Sequence, residues 1–300
     1  LSEVPSELVA IDPGAQTGEL HFRAPDLDIS TTTQFYIYFG SSTASGYAAS
    51  DAYGSDNVWS NGYQAVYHFE DAAAGTGNSD VYQDASGNNY DGDDYVAATG
   101  KTGLLGAGQE FDGNNYNDYI TLPRDTIRNL TDITVSAWFS STDTVKDFHP
   151  ILSGANSGES NEYLFWLDHS QDQVELFSHY SSGGVEVFNI PDVYDGTWNH
   201  FTMVKNDSTG NAYFYLNGAE DNESPDPDNV DPLDIDVGGV MIGQEQDCVG
   251  GCFQSNQEMV GFLDELRISA VVRDDGWIAN EYVNQSTPTS FYTVGTIESY

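Results

Sequence analysis

Apolar residues in this chain recur in short runs, and the pattern predicts β-strands along most of its length. Val135, Ala137 and Phe139 occupy alternate positions of one run, as expected of a strand that buries a single face. The pair Asn217-Gly218 is typical of a tight hairpin turn between two strands. No stretch sustains the 3.6-residue period of an amphipathic helix. We therefore predict an all-β fold, an antiparallel β-sandwich.

The N-terminal part of the sequence predicts a small β unit of its own. Strand signals lie at Glu19–Arg23 and Gln34–Phe39, with a turn-rich stretch between them. We predict an N-terminal β segment over residues 1–62 and a sandwich over residues 63–285. The remaining residues, 286–300, form a C-terminal tail that would complete the N-terminal segment if both ends belong to one companion unit.

Composition is consistent with a large folded domain and narrows the choice of partners. Of 300 residues, 39% are hydrophobic and 13% aromatic, which is enough for a sizeable core. Acidic residues outnumber basic ones by 48 to 8, and the net charge of −40 repels nucleic acid and anionic membranes. The same charge attracts cations, although high acidity is more often a means of staying soluble.

The chain lacks the sequence signals of membrane insertion. It has no run of 18 apolar residues, so we expect no membrane-spanning segment. The sequence begins at Leu1 without a signal peptide, and we expect it to be part of a longer extracellular chain with neighbouring domains.

Oxygen-bearing side chains are concentrated in one loop late in the sandwich. Glu245, Gln246 and Asp247 are adjacent, and Gln257 follows after two glycines. Residues two apart in an extended segment point the same way, so the carboxylates of Glu245 and Asp247 would converge. Calcium takes about six to eight oxygen ligands from carboxylates, amides, backbone carbonyls and water. The loop is therefore a candidate calcium site, and the alternative is a solvated acidic turn.

The same loop holds Cys248 and Cys252, which are the 2 cysteines of the sequence. A tight turn would bring their Cα atoms into disulfide range, and an extracellular setting would oxidise them. The alternative is half of a zinc site, since two cysteines at this spacing are acceptable zinc ligands. No pair of histidines has the spacing that would complete such a site, and we favour the disulfide.

This region resembles the calcium loop and following strand of the pentraxins. The resemblance rests on the segments IGQEQD, GG and VGFLDELRIS, together with Phe253 and Gln257. It implies two adjacent calcium ions that themselves bind the ligand. Glu245 and Asp247 would bridge the ions. Gln246 would offer its backbone oxygen, and Gln257 would complete the outer ion.

The same resemblance implies ligands from a second segment. In the pentraxins an Asp-Asn pair precedes a strand reading Glu-hydrophobic-Leu, and the best match in this chain is Ser160-Asn161-Glu162. Asn161 fits this pattern, whereas Ser160 replaces the aspartate. Either Glu159 takes its place, or the inner ion is held more weakly than in the family.

The wider chain resembles a laminin-G-like or concanavalin A-like module, which implies a jelly-roll arrangement of the sandwich. The segments that carry the resemblance are VYHF, DASGN, FDG, ITVSAWF, GTWNHF, YFYLNG and GFLDEL. Within them Trp138, Trp198 and His200 are most simply core or turn residues. Ahead of the module, FYIYFGSSTAS resembles an uncharacterised domain of bacterial secreted proteins that often precedes such modules.

Two further sets of residues are candidates for the site. Asp84, Asp112 and Asp264 lie in segments that border a structural calcium in relatives of this fold, which suggests a further ion. Trp166 would share a strand face with Glu162, and the two are candidate contacts for the ligand. The alternative for Trp166 is a buried tryptophan.

These features favour binding over catalysis. A glycosidase needs two carboxylates about 5 to 9.5 Å apart facing one cleft, whereas Asp264 and Glu265 are adjacent and would point to opposite faces. We therefore predict no enzyme activity and a calcium-dependent, lectin-like module of a large secreted or surface protein, such as a bacterial adhesin. One or two calcium ions would bind a glycan or a phosphorylated or carboxylated partner. The alternatives are a polysaccharide-degrading enzyme and a structural spacer made rigid by calcium.

Overall fold

The computed structural model of the protein describes residues 2–15, 17–24, 27, 32–41, 43, 45–72, 75, 77–114, 118–158, 160–179, 184–228 and 231–296. Within these ranges the chain is nearly all β and its strands pair antiparallel, so the predicted fold class is confirmed. Neither described helix has the length and apolar character needed to cross a membrane.

Strands make up most of the described secondary structure, and the helices follow them near the C-terminus. In chain order the strands are β1 (Ser6–Asp12), β2 (Thr17–Phe22), β3 (Tyr63–Tyr67), β4 (Asn78–Tyr82), β5 (Gly92–Asp94), β6 (Gln109–Asp112), β7 (Ile120–Leu122), β8 (Ile133–Ser140), β9 (Phe148–Gly154), β10 (Tyr163–Asp168), β11 (Gln173–Ser178), β12 (Gly184–Asn189), β13 (Asn199–Asn206), β14 (Asn211–Leu216), β15 (Ala219–Glu220), β16 (Asp226–Pro227), β17 (Val240–Ile242) and β18 (Val260–Ser269). The helices are α1 (Asp275–Ser286) and α2 (Pro288–Phe291), and short 3-10 turns lie at Ser55–Asn57 and Arg124–Thr126.

Two large sheets pack face to face as a sandwich. Among the described strands, one sheet has the order β12-β11-β10-β9-β17-β7-β5-β4. The other runs β15-β14-β13-β8-β18-β3, with β16 beside β14 and β6 beside β18. One buried cluster joins Phe165 and Leu176 of the first sheet to Phe139 and Phe201 of the second. The core therefore lies between the apolar faces of the two sheets.

Strand β8 lies inside the second sheet and is buried on both faces. Val135, Ala137 and Phe139 belong to the core, as their alternation predicts. On the opposite face Trp138 donates its Nε1–H to Oε1 of Gln285 at 2.6 Å and stacks on Tyr282, and both partners belong to α1. Helix α1 therefore covers the outer face of this sheet.

The hairpin turn predicted at Asn217-Gly218 is present between β14 and β15. Both residues have positive φ angles, 52° and 76°, as this kind of turn requires. A Cβ on Gly218 would come within 2.8 Å of the Tyr282 side chain, so glycine also makes room for α1. On the adjoining strand His200 is 1% exposed, and Trp198 is half-buried just ahead of it.

A separate hairpin, β1 paired with β2, forms the start of the N-terminal segment. The strand predicted at Glu19–Arg23 is confirmed within β2. The strand predicted at Gln34–Phe39 is wrong, because this stretch is irregular and Phe39 is 73% exposed. Residues that favour strands need a neighbouring strand for their backbone groups, and no described strand pairs with this stretch.

The proposed division of the chain is compatible with the position of α1. This helix ends at Ser286, beside the predicted boundary at residue 285, and α2 packs against it. At the other end, the N–H of Ser6 donates to the backbone oxygen of Tyr53 at 3.1 Å, which ties the hairpin to the stretch that follows it. The boundaries at residues 62 and 285 stay predictions.

Removing the Phe139 ring should destabilise the sandwich strongly. Its side chain is 1% exposed and makes edge contacts with the rings of Tyr194 and Phe201. Phe139→Ala leaves a cavity and should lower the free energy of unfolding by about 3–5 kcal/mol, measured by urea denaturation. Val145→Ala, at a position that is 79% exposed, should change it by less than about 0.5 kcal/mol. Equal losses in the two variants would contradict the burial of β8.

Candidate metal centre

The loop between β17 and β18 is closed by hydrogen bonds between its two ends. Gly243 opens the loop with a φ of +83°, and a Cβ there would come within 2.5 Å of the Phe111 ring. The Nε2 group of Gln244 donates to the backbone oxygens of Glu245 at 3.0 Å and Gln257 at 3.1 Å. The N–H of Glu245 also donates to the backbone oxygen of Gln257 at 3.2 Å. Residues from opposite ends of the loop are thereby held side by side, and we call this point the loop crossing.

Three side-chain oxygens at the loop crossing are buried and have no hydrogen-bond partner within the described residues. They are Oε1 of Gln244, Oε2 of Glu245 and Oε1 of Gln257. Leaving a buried acceptor unpaired costs about 1–3 kcal/mol, and more for a charged group. Burial, assisted by the Asp247 carboxylate, raises the pKa of Glu245 from its ordinary 4.5 to about 7. A bound cation would therefore stabilise the unpaired oxygens and the charged form of Glu245.

Asn161 reaches the same carboxylate from the segment ahead of β10. One end of its side-chain amide lies 2.9 Å from Oε1 of Glu245. As nitrogen, that end donates a hydrogen bond to the carboxylate; as oxygen, it could only share a cation with it. The structure thus brings Asn161 and Gln257 to Glu245, and metal binding by the three stays a prediction.

The residue directly before Asn161 carries no charge. Ser160 is half-buried and supplies a hydroxyl group without charge. Glu159, the suggested substitute for an aspartate, lies outside the described residues.

Gln246 and Asp247 lie next to each other in different surroundings. Gln246 is fully buried: its Nε2 donates to the backbone oxygen of Gly239 at 2.9 Å, and its Oε1 accepts from the N–H of Gly250 at 2.9 Å. This side chain anchors the loop, so only the backbone of Gln246 is left for a metal, as the resemblance implies. Asp247 is exposed and accepts a hydrogen bond from Nε2 of Gln254.

A disulfide joins Cys248 to Cys252, whose Cα atoms are 5.4 Å apart. The predicted pairing is confirmed, and these sulfurs are not zinc ligands. Because the ring is short, it removes little entropy from the unfolded chain and acts mainly on the loop itself.

A cavity of about 250 Å³ opens beside the disulfide. One wall comes from the segment ahead of β10 and the other from the loop. The lining residues are Asn156, Ser157, Gly158, Ser160, Asp247, Cys248 and Val249. The exposed Asp247 carboxylate therefore faces space that a small ligand could occupy.

The suggested ligand contacts Glu162 and Trp166 do not line this cavity, and a role for them in ligand binding stays a prediction. Trp166 is 5% exposed because its ring stacks on Phe148 at a centroid distance of 4.2 Å and its Nε1 donates to Glu175 at 2.7 Å. Glu162 is 3% exposed and accepts the backbone N–H of Asp234 at 2.7 Å. The tryptophan is a packing residue, and the glutamate fastens a neighbouring segment.

The three aspartates suggested for a further structural ion have separate partners. Asp84 accepts hydrogen bonds from three backbone N–H groups at 2.8–3.0 Å. Asp112 is bonded to Asn114, and Asp264 accepts two backbone N–H groups at 2.7 and 2.9 Å. The described part of the chain does not gather these carboxylates into one ligand group. These carboxylates order nearby backbone, and a further structural ion stays a prediction.

Sequence reasoning missed two residues that build the loop crossing. Gln244 holds the two ends together, and Ser153 of β9 donates its hydroxyl to the backbone oxygen of Gln244 at 2.8 Å. Neither side chain is charged, so composition gives no signal. The one available clue is the spacing of Gln244 and Gln246, which puts two amides on the same side of an extended segment.

Comparison with known proteins identifies the family of the sandwich. A family model described as the concanavalin A-like lectin/glucanases superfamily matches residues 112–279. The chain is 28% identical to C-reactive protein 3.3 of Limulus polyphemus, over 48% of this chain and 58% of that protein. It is 29% identical to neuronal pentraxin-2 of Cavia porcellus, over 48% of this chain and 32% of that protein. The chain thus spans less than two thirds of the length of these relatives.

The fold is also similar to that of a solved structure, the binding domain of botulinum neurotoxin serotype G. The TM-score is 0.55 at 12% identity, over 75% of this chain and 51% of that one. Similarity at this level of identity concerns the fold alone. The family model, by contrast, covers more than half of the 300 residues. The chain therefore belongs to the concanavalin A-like lectin/glucanase superfamily, and its sandwich is pentraxin-like.

Proposed function

We propose that this chain is a calcium-dependent, lectin-like binding module of a secreted or surface protein, such as an adhesin. The loop crossing would hold the ion, and the ion would contact the ligand. Family membership supports a binding fold of this kind. The pentraxin resemblance of the loop supports calcium as the ion.

The observation that carries this proposal is that two of the candidate ligands, Glu245 and Gln257, each bury an oxygen that has no partner among the described residues, Oε2 and Oε1 respectively. An amide of Asn161 lies against the same carboxylate. Carboxylate and amide oxygens are the donors that calcium prefers. The nearby cysteines are consumed by their disulfide, so the loop offers no thiolate that would favour a softer metal.

The open side of the site supports a ligand that binds through the ion. Glu245, Gln257 and Asn161, with the Gln246 backbone and Asp247, supply fewer than the six to eight oxygens that calcium takes. The remaining positions are open to water or to paired oxygens of a ligand, such as vicinal sugar hydroxyls, phosphate or carboxylate. The cavity beside Asp247 offers the space. Because the chain carries a net charge of −40, an anionic ligand would need the ion to offset local repulsion.

The number of ions depends on the residues ahead of Asn161. A second ion beside the first would need further carboxylates, and Ser160 supplies none. We propose one well-held ion, with a second held more weakly.

The structure offers less to the alternative of a polysaccharide-degrading enzyme. Asp264 and Glu265, the nearest approach to a glycosidase pair, are 0% and 1% exposed. Asp264 accepts backbone N–H groups, whereas Glu265 contacts His68 and Arg267. Neither carboxylate is free to flank a glycosidic bond. A structural spacer made rigid by calcium is the remaining alternative, and ligand binding separates it from a lectin-like module.

Calcium should stabilise the protein through the loop crossing. An ion that binds only the folded state adds about 2.7 kcal/mol at a hundredfold excess over its Kd, and the melting temperature should rise accordingly. Glu245→Gln keeps the size of the side chain and removes its charge, so it should abolish most of this rise. The matched control is Glu3→Gln, at an exposed position near the N-terminus, which should keep it. A full calcium response in Glu245→Gln would place the ion elsewhere.

Ligands should bind only when calcium is present. We would titrate the wild type by calorimetry with simple sugars and with phosphocholine, in calcium and in chelator. Binding in calcium that disappears both in chelator and in Glu245→Gln is the expected result. Equal binding in chelator would overturn the role of the ion. If calcium binds but none of the oxygen-rich ligands does, the result would favour the structural spacer.

A further inference from the structure

A second group of metal-ligating side chains lies where the N-terminal hairpin meets the sandwich. Glu19, His21, His68 and Glu265 each present one ligand atom, and these four atoms all lie within 4.8 Å of one another. We call them the hairpin cluster. It is composed of two nitrogens and two carboxylate oxygens, unlike the oxygen donors of the loop crossing.

Three distant parts of the chain supply the hairpin cluster. Glu19 and His21 occupy alternate positions of β2 and therefore share one face of that strand. His68 directly follows β3. Glu265 lies in β18 at an irregularity in its pairing with β8, and its φ of 51° is unusual for a residue with a side chain. This bulge directs the carboxylate towards the hairpin.

The ligand atoms of the hairpin cluster lie close together, two pairs of them in hydrogen-bond contact. Nε2 of His21 lies 2.7 Å from Oε1 of Glu19, and Nδ1 of His68 lies 3.6 Å from the same oxygen. Nδ1 of His68 also contacts Oε1 of Glu265 directly. Around tetrahedral zinc, with bonds of about 2.0–2.2 Å, neighbouring ligand atoms are roughly 3.4 Å apart. Small side-chain adjustments would therefore accommodate the ion.

A second observation comes from the groups behind the ligands. Nε2 of His68 is buried and makes no hydrogen bond to any described residue, but it lies 3.5 Å from Oε2 of Glu7. That carboxylate accepts the Nε1–H of Trp59 at 2.5 Å, which fixes its position. Histidines that bind metals commonly direct their other ring nitrogen at a carboxylate, and this sets the tautomer. Glu7 is placed for that role.

The charge balance of the surroundings also favours a bound cation. Glu7, Glu19 and Glu265 all lie at the hairpin cluster. Among the described residues that contact them only Arg267 is permanently charged, because the two histidines are charged only when protonated. Arg267 is itself shared with the Glu281 carboxylate at 2.9 Å. Buried carboxylates without compensating charge are strongly unfavourable. A divalent ion would offset two of these charges.

We propose that Glu19, His21, His68 and Glu265 bind a divalent transition-metal ion, best matched by zinc, which fastens the N-terminal hairpin to the sandwich. Two imidazole and two carboxylate donors suit zinc better than calcium, which prefers oxygen alone. The ion can enter past His21, which is 17% exposed, whereas Glu265 is fully buried. This site is independent of the proposed calcium site.

The experiment measures zinc binding by the intact chain after treatment with chelator. Wild-type protein should bind one equivalent of zinc in calorimetry and retain it through dialysis, measured by elemental analysis. His21→Gln and Glu19→Gln remove ligands at the hairpin edge, where folding is least at risk. Each should weaken zinc binding by more than the roughly 10–100-fold that the loss of a carboxylate behind a ligand costs. Glu7→Gln should weaken it less, because it acts through His68.

Two matched controls keep the result specific. His169→Gln removes a histidine beyond β10, in the other sheet, and should leave zinc binding unchanged. Asp247→Asn alters the calcium loop and should leave zinc binding unchanged as well. Wild-type zinc affinity in both His21→Gln and Glu19→Gln would overturn the proposal. So would a wild type that binds no zinc.

Discussion

The burial of one carboxylate, Glu245, is the constraint on which the candidate site depends. Hydrogen bonds from Gln244 hold the backbone oxygens of Glu245 and Gln257 together, and one side-chain oxygen of each has no partner in the described part of the chain. The pKa of Glu245 rises to about 7 because burial disfavours its charged form. A bound cation would reverse that preference. The burial that disfavours the charge of Glu245 would therefore favour a cation beside it.

The sandwich holds this carboxylate in place from several sides. Strand β17 lies between β9 and β7, so the loop leaves from the interior of a sheet rather than from its edge. The buried amide of Gln246 fixes the start of the loop, and the disulfide restrains its tip. Asp247 remains exposed between these anchors. A rigid inner part with one open carboxylate is an arrangement suited to binding a ligand without reorganising the site.

Sequence patterns predicted those features that depend on neighbouring residues. The alternation of Val135, Ala137 and Phe139 identified a core strand, and Asn217-Gly218 identified a hairpin. The same logic failed at Gln34–Phe39, because strand preference alone does not provide a partner strand. Within the site, the spacing of the acidic loop pointed to the region, and the resemblance to pentraxins named the residues.

Features that depend on tertiary packing could not be predicted in this way. Whether Trp166 faces a ligand or a neighbouring ring depends on Phe148, which belongs to another strand. The hairpin cluster could not be predicted from the sequence, because β2, the end of β3 and the bulge of β18 are far apart along the chain. A glutamate two residues before a histidine is too common a pattern to signal a metal by itself. Only the fold brings these groups within bonding distance of one ion.

The most direct test is a high-resolution crystal structure of the protein grown in calcium, with anomalous scattering used to locate the ion. The account predicts a calcium ion about 2.3–2.6 Å from both Oε2 of Glu245 and Oε1 of Gln257, with the amide oxygen of Asn161 turned towards it. At least one coordination position should hold a water molecule that faces the cavity beside Asp247. An ordered loop in which these two oxygens bind only water or protein donors, at saturating calcium, would contradict the central claim.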